Sequence, residues 1–305
     1  MDTAKKAADM GFGLSKTQLK AKTGRIVKSL KLKTGFKKDT PGDDWFIGLK
    51  KRHPDVTMKK PQKLSVTRAK AMNRDKVNSY FALLKGTLDK LKVQPDHIWN
   101  CDETNMQLEH KPTSVVGRKG GRVPGRVANS KESVTVLGCG NASGKIMSSM
   151  VIVKGKTKRS LMGWKTEDAP PATKWTYQPK SYMDQALGSE WFQSVFLKEC
   201  GPHRPQLLVL DSHCSHEPLE LIEMAEKENI TLLTLPSHCT HWLQPWDKSM
   251  FSPLKRKYNA LCSEYMAENN THNITKNSWP KLFFQAWRSA ITSVNMVSGF
   301  VSTGI

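Results

Sequence analysis

The chain has 305 residues, room for one large domain and a small one, and its 48 Lys and Arg against 27 Asp and Glu give a formal charge of +21. That balance argues against an enzyme of small neutral substrates and for a polyanionic partner. Six scattered cysteines with no Cys-x-x-Cys pair argue against a zinc ribbon or a secreted disulfide framework, and no apolar run nears the roughly 18 residues that cross a bilayer, so an intracellular chain without a membrane partner is expected.

The charge is uneven. Up to Pro95 there are 24 Lys and Arg against 8 Asp and Glu, a net of +16 out of +21, so a polyanion-binding module precedes a milder remainder. Residues 2–11 are helix-compatible. Ser15 is placed to cap a helix reaching about Leu30, with Leu19, Ile26, Val27 and Leu30 as an apolar stripe among lysines. Gly35 breaks the pattern. From Pro41 to Pro54 acids come early and bases late, as a helix dipole favours, and Trp45, Phe46 and Leu49 define a buried face. Lys50, Lys51, Arg52 and His53 then read as DNA phosphate contacts. Val77 to Leu91 is an amphipathic helix joining two modules, and Pro95 ends it.

Ile98 to Asp102 is strand-like. Gly117-Arg-Lys-Gly-Gly-Arg122-Val-Pro-Gly-Arg126 lacks the Gly-Lys-Ser/Thr ending of a phosphate-cradling loop. Its Arg118, Lys119, Arg122 and Arg126 suit a nucleic-acid backbone, with a solvated hairpin tip as the alternative. Val134 to Leu137 and Ile146 to Val153 read as strands around a turn at Gly138 to Gly144. The dinucleotide fingerprint fails there, because the third glycine comes one place late and a strand follows. Thr157 to Tyr182 reads mostly as loop. Ser189 is expected to cap a helix through Cys200, with Trp191, Phe192, Val195 and Phe196 inward. A strand over Gln206 to Leu210, a helix from Pro218 to Asn229 and a strand from Ile230 follow. Then come a helix from Trp246 to about Ala267 and a last one from Trp279 to Val294. This order predicts an α/β fold, a mixed sheet with helices on both faces.

Three aspartates stand at or near element ends. Asp102 closes Ile98-Trp-Asn-Cys, Asp211 closes Leu207-Leu-Val-Leu210, and Asp247 closes Leu243-Gln-Pro-Trp. Carboxylate oxygens delivered from separate elements suit a hard divalent cation such as Mg²⁺. A rival reading uses His213, His216, His238 and His241, with Cys214 and Cys239, whose spacing would serve Zn²⁺.

The amino-terminal third resembles the second helix-turn-helix of the centromere-protein-B type, on Leu14-Ser15-Lys16, the Phe36 to Trp45 stretch, Arg52-His53-Pro54 and Leu64-Ser-Val-Thr-Arg68-Ala69. That family usually carries another helix-turn-helix upstream, so half of a bipartite DNA reader is expected here. Asn100-Cys-Asp102-Glu-Thr104, Leu210-Asp211-Ser-His-Cys-Ser-His216 and His238-Cys-Thr-His241-Trp-Leu-Gln-Pro-Trp-Asp247 are similar to the catalytic domain of the pogo/Tigger/jerky group of DDE transposases. Ser133-Val-Thr-Val136, Asn141-Ala-Ser-Gly144 and Phe251-Ser-Pro-Leu-Lys255 support the likeness. Ser212 stands where the group commonly has Gly, and Trp246 where it commonly has Leu.

The resemblance implies a partial helix-turn-helix DNA-binding domain over 1–75, a linker helix over 76–97 and an RNase H-like catalytic domain over 98–305. It implies DNA strand cleavage and strand transfer by Asp102, Asp211 and Asp247, which would bind two ions of Mg²⁺, with Mn²⁺ as a substitute. His213, His216, His241 and Lys248 would orient ligands or neutralise phosphate charge. Double-stranded DNA is the expected partner, with a homodimer, a nuclear location and no small-molecule cofactor. The alternative expectation is a domesticated or truncated transposase-derived protein that only binds DNA.

Overall fold

The computed structural model describes residues 2–9, 13–59, 73–108, 116, 118–120, 122, 132–211, 219–237 and 239–305. The chain divides into two compact units, Met1–Lys70 and Ala71–Ile305. The described residues of the first unit form the helices α1 (Asp2–Asp9), α2 (Lys16–Ser29) and α3 (Asp43–Arg52). Ser15 starts α2 with a reciprocal cap. Its Oγ accepts the Gln18 N–H at 3.3 Å, and Gln18 Oε1 accepts the Ser15 N–H at 2.9 Å.

The buried line of α2 runs through Gly24 and Val27, so Ile26 and Leu30, expected inward, lie on the surface. Gly24 explains the difference: a Cβ there would stand 2.8 Å from Asp39 O, so the chain returning to α3 packs on that bare position. Phe46 and Leu49 are buried as expected, and the half-buried Trp45 meets Phe36 edge-on at 6.4 Å. Lys16 and Lys20 pair with Asp43 at 3.0 and 2.9 Å, but these pairs are solvent-exposed and contribute little stability.

In the second unit, α4 (Arg74–Leu91) begins where Asn73 Oδ1 accepts the Asp75 N–H, and its Tyr80 and Leu84 are buried in the unit's core. A six-stranded sheet follows: β1 (Ile98–Gln107), β2 (Ser133–Asn141), β3 (Met150–Lys154), β4 (Lys174–Gln178), β5 (Gln206–Leu210) and β6 (Ile230–Thr234). Their order across the sheet is β4-β3-β2-β1-β5-β6. β1, β2 and β3 are antiparallel, while β4, β5 and β6 each run parallel to their inner neighbour. The sheet is mixed, as expected, with β1 at its centre.

Both faces are covered, which is why the inner strands read as near-continuous apolar runs. Val134, Val136, Val151, Leu207 and Val209 face α9 (Phe251–Glu268), α10 (Trp279–Ala290) and α11 (Ser293–Thr303). Leu137, Cys139, Ile152, Leu208 and Leu210 face α5 (Gln185–Trp191) and α6 (Leu219–Lys227). α5 runs on through a π-helical stretch, Phe192–Phe196, that keeps Phe192 and Phe196 inward.

Several boundaries move for local reasons. β2 runs through Gly138 and Gly140, and the turn begins at Asn141, whose Oδ1 accepts the Lys145 N–H and the Ser143 hydroxyl at 2.7 and 2.9 Å. The segment expected as loop contains the edge strand β4, whose Trp175 joins Trp164, Trp279 and Phe284 in an aromatic cluster. α5 starts at an Asp184 cap rather than at Ser189, because Asp184 Oδ1 accepts the Leu187 N–H at 3.0 Å. The helical pattern from Trp279 breaks at Thr292, whose hydroxyl caps α11. That from Trp246 breaks at Met250.

Burial also sets an alkaline limit on this core. Cys262 on α9 is buried, which pushes its thiol from an ordinary 9.0 up to about 12, and burial raises the Tyr258 phenol one turn away as well. The folded chain thus holds these protons more tightly than the unfolded chain does. Their contribution to stability is complete below about pH 9 and is lost as the pH climbs towards about 12. Denaturant unfolding across that window is expected to show falling stability, with a flatter fall in Cys262→Ala.

Candidate active site

Alternation along β1 points Trp99 and Cys101 to the α5 face, and Asn100, Asp102 and Thr104 to the other. Asp102 is 6% exposed. β5 lies parallel to β1, and the pairing ends with Val209 opposite Asn100, each two residues before its acid, Asp211 and Asp102. Asp211 is the first residue past β5, is 7% exposed, and accepts the Thr240 hydroxyl on Oδ1 at 2.9 Å. Thr240 opens the short helix α7 (Thr240–Leu243).

Asp247 arrives on α8 (Pro245–Ser249), where Pro245 occupies a first-turn position that needs no N–H. The buried Trp246 seats this helix. Its Nε1 donates to Asn100 O at 3.1 Å, and its ring lies over Gly138, the β2 residue paired with Asp102. A Cβ on Gly138 would fall on the six-membered ring, so only a bare position lets α8 come down onto the strands. Gln244, just ahead of α8, is fully buried. Its Oε1 accepts from Asn100 Nδ2 at 2.8 Å, and its Nε2 donates to Cys101 O at 3.1 Å. Asn100 Nδ2 also donates to Val209 O of β5 at 3.0 Å.

Burial, followed by the charges of Asp247 and Glu103, holds the Asp102 carboxyl well above the ordinary carboxylate range. Hydrogen bonds from Gln244 and from the Glu103 N–H, the latter at 2.9 Å, oppose the shift. Asp247 itself is exposed. A buried carboxylate crowded by a second one is an arrangement that a cation relieves, and all-oxygen donors fit a hard divalent ion. Asn100 Oδ1 and Thr104 Oγ1 flank Asp102 on the same face and are buried without a hydrogen-bond partner among the described residues. Among those residues no group of three or more His, Cys, Asp or Glu is gathered closely enough to hold a metal ion. Asp102 and Asp247 are in electrostatic reach of one another, and Asp211 stands on the adjoining strand end.

The other expected site residues are placed as follows. The ring of His241 lies 5.3 Å from Trp242, and Lys248 Nζ stands 4.7 Å over that same indole, so both gather beside α8. Cys239 is fully buried. His213, Cys214, His216, His238 and Arg126 lie outside the described residues. Arg118, Lys119 and Arg122 are exposed. In the first unit Lys50, Lys51 and Arg52 are exposed in the last turn of α3, and His53 follows it half-buried.

Asn100, Thr240, Gln244 and Gly138 were not among the expected site residues. Asn100 and Gln244 sit inside the motifs that delivered Asp102 and Asp247, and the available signal was an uncharged carboxamide in an otherwise apolar or ligand-bearing run.

A family model described as the DDE superfamily endonuclease matches residues 131–300, more than half of the chain. The chain belongs to that family. The match takes in Asp211 and Asp247 and begins after Asp102. Solved structures with a similar fold include the Mos1 strand transfer complex, at 12% identity and a TM-score of 0.51, and the mariner Mos1 paired end complex with Mg, at 11% and 0.53. Each likeness covers 92% of this chain and 70% of that one. The mixed sheet thus has an RNase H-like fold similar to that of the Mos1 structures.

Among curated proteins, the chain is 28% identical over 223 residues to the MFS-type transporter clz9 of Cochliobolus lunatus, covering 71% of this chain and 24% of that protein. It is 26% identical over 148 residues to ARS-binding protein 1 of Schizosaccharomyces pombe, covering 47% and 28%. The chain therefore spans about a quarter of the length of these relatives. Among the described residues no helix is long and apolar enough to cross a membrane.

Two outcomes follow from this geometry. Gly138→Ala is expected to cost about 1–3 kcal/mol, as overpacking does. Trp246→Phe in the same chain should recover part of that loss in a double-mutant cycle followed by denaturant unfolding. In metal-free buffer near pH 7, Asp102→Asn is expected to melt at a higher temperature than the unchanged chain, because it replaces a carboxyl whose charged form burial disfavours.

Proposed function

We propose that this DDE-family chain cleaves and transfers DNA strands in a metal-dependent reaction, with Asp102, Asp211 and Asp247 as its catalytic acids. One observation supports the reading: Asp102 lies within the central strand β1 in electrostatic reach of Asp247, and Asp211 stands just past the end of the neighbouring β5. Asp102 and Asp211 supply two buried carboxylates, and Asp247 adds a third from the solvent side. Together they would hold two divalent ions, Mg²⁺ or Mn²⁺, as the Mg bound in the Mos1 paired end complex suggests. When bound, such ions supply Lewis-acid activation of an attacking oxygen and charge neutralisation at a scissile phosphate.

The chain's own groups do the rest. Thr240 orients Asp211 by its hydrogen bond, and Trp246 fixes the approach of α8 to β1. Lys248, beside Asp247 and exposed, supplies positive charge on the solvent side where a phosphate backbone would lie. His241 is held against Trp242 on the same side, and His213 and His216 are the further candidates to orient ligands.

The partner of this reading is double-stranded DNA. In the pogo/Tigger assignment the first unit is a centromere-protein-B-type helix-turn-helix whose Lys50, Lys51, Arg52 and His53 meet phosphates, with Arg118, Lys119, Arg122 and Arg126 adding a second basic segment. Two copies of the chain acting on paired DNA ends, in the nucleus, complete it. A second reading, DNA binding without cleavage, is favoured by one observation: no three ligands are gathered to metal-holding distance among the described residues.

The deciding experiment is cleavage of a supercoiled plasmid in Mg²⁺ and in Mn²⁺. Cleavage is expected in both, and to fall to the metal-free background in Asp211→Ala, Asp102→Asn and Asp247→Asn. DNA binding that is unaffected by these substitutions, with no cleavage by the unchanged chain, would establish the second reading instead.

A further inference from the structure

Asn100 and Gln244 carry no charge, yet both are wholly buried and together they touch every element that bears one of the three acids. Asn100 lies two residues before Asp102 on β1, and its Nδ2 reaches Val209 O of β5, two residues before Asp211. The same Nδ2 reaches Gln244 Oε1, three residues before Asp247. Gln244 Nε2 returns to β1 at Cys101 O, the carbonyl next to Asp102.

The residue types suit the task. Each carboxamide offers a donor and an acceptor without charge. A carboxylate in either place would add to the repulsion that already raises Asp102, and a lysine or arginine would neutralise the acids and compete with a cation. The pair also has a cost. Asn100 Oδ1 is buried without a hydrogen-bond partner among the described residues, whereas an apolar residue of the same size would leave no orphaned acceptor on its own side chain. A polar group placed at that cost on the face that carries the acids points to a role beyond tying β1 to β5.

We propose that Asn100 and Gln244 are positioning residues whose linked carboxamides set the spacing of Asp102, Asp211 and Asp247 and so the affinity of the acids for divalent ions. The proposal rests on the metal-binding reading of those acids. Neither residue touches substrate. Each acts through the backbone that carries an acid.

The test is Mn²⁺ titration by calorimetry of the whole chain, with circular dichroism and thermal melting to establish folding. Gln244→Met and Asn100→Leu keep the side-chain volume and remove the bonds. Asn100→Ala replaces Asn100→Leu if the latter does not fold. Phe192→Leu, on the opposite face of the sheet, is the control for loss of stability alone. The expected result is Mn²⁺ binding by the unchanged chain and by Phe192→Leu, none by Asp102→Asn, and affinity at least about ten-fold weaker in the folded Gln244 and Asn100 variants. Unchanged affinity in both folded variants overturns the positioning proposal and leaves the metal reading standing. An unchanged chain that binds no Mn²⁺ overturns the metal reading, and the positioning proposal with it.

Discussion

Trp246 reaches the central strands only because residue 138 has no side chain, and that approach governs the rest of the site. The indole lies on bare backbone opposite Asp102 and hydrogen-bonds to Asn100 O. With the ring fixed, the next residue, Asp247, comes within electrostatic reach of Asp102. A five-residue helix has almost no stability of its own. α8 therefore takes its position from what it rests on: Trp246 packed among Phe251 and Trp287, and Gln244 bonded to β1.

The two faces of the sheet divide the labour. On the α5 face packing is mostly apolar, with buried hydrogen bonds at the start of β5, where Trp99 Nε1 donates to Gln206 Oε1 at 2.6 Å, and on β2, where the Thr135 hydroxyl donates to Ser181 O. On the other face a layer of aromatic side chains from α8, α9 and α10 surrounds a polar strip formed by Asn100, Asp102 and Thr104. The strip is out of water and incompletely satisfied by the protein, an arrangement that lowers stability. The large apolar burial around it makes that local cost tolerable.

The sequence was most legible where a physical pattern was strong. Buried strands read as apolar runs, Ser15 and Gln18 announced a cap, and Asp211 does follow the end of its strand, whereas β1 runs on past Asp102 to Gln107. It was less legible where a residue serves a neighbour far along the chain. Gly138 and Gly140 read as turn formers, because glycine in a strand looks the same as glycine in a turn until the ring or thioether lying against it is known. β4 was hidden because an edge strand with half-buried faces has no clean alternation. Ile26 and Leu30 read as core from helical spacing alone, while Gly24 decided which side of α2 another segment could approach. Asn100 and Gln244 were visible as letters in the motifs, but the bond between them joins positions that no local pattern connects.

That long connection has a consequence for when the protein acquires its chemistry during its own manufacture. The side chains of Asn100 and Gln244 meet across 144 positions of chain. At the usual pace of translation, about 5–20 residues per second, roughly 7–30 s separate the emergence of one from that of the other. Through that interval the nascent chain has at most two of its three acids and nothing to seat α8. On the proposed reading, the strand-cleaving site therefore stays unassembled until synthesis has passed Asp247.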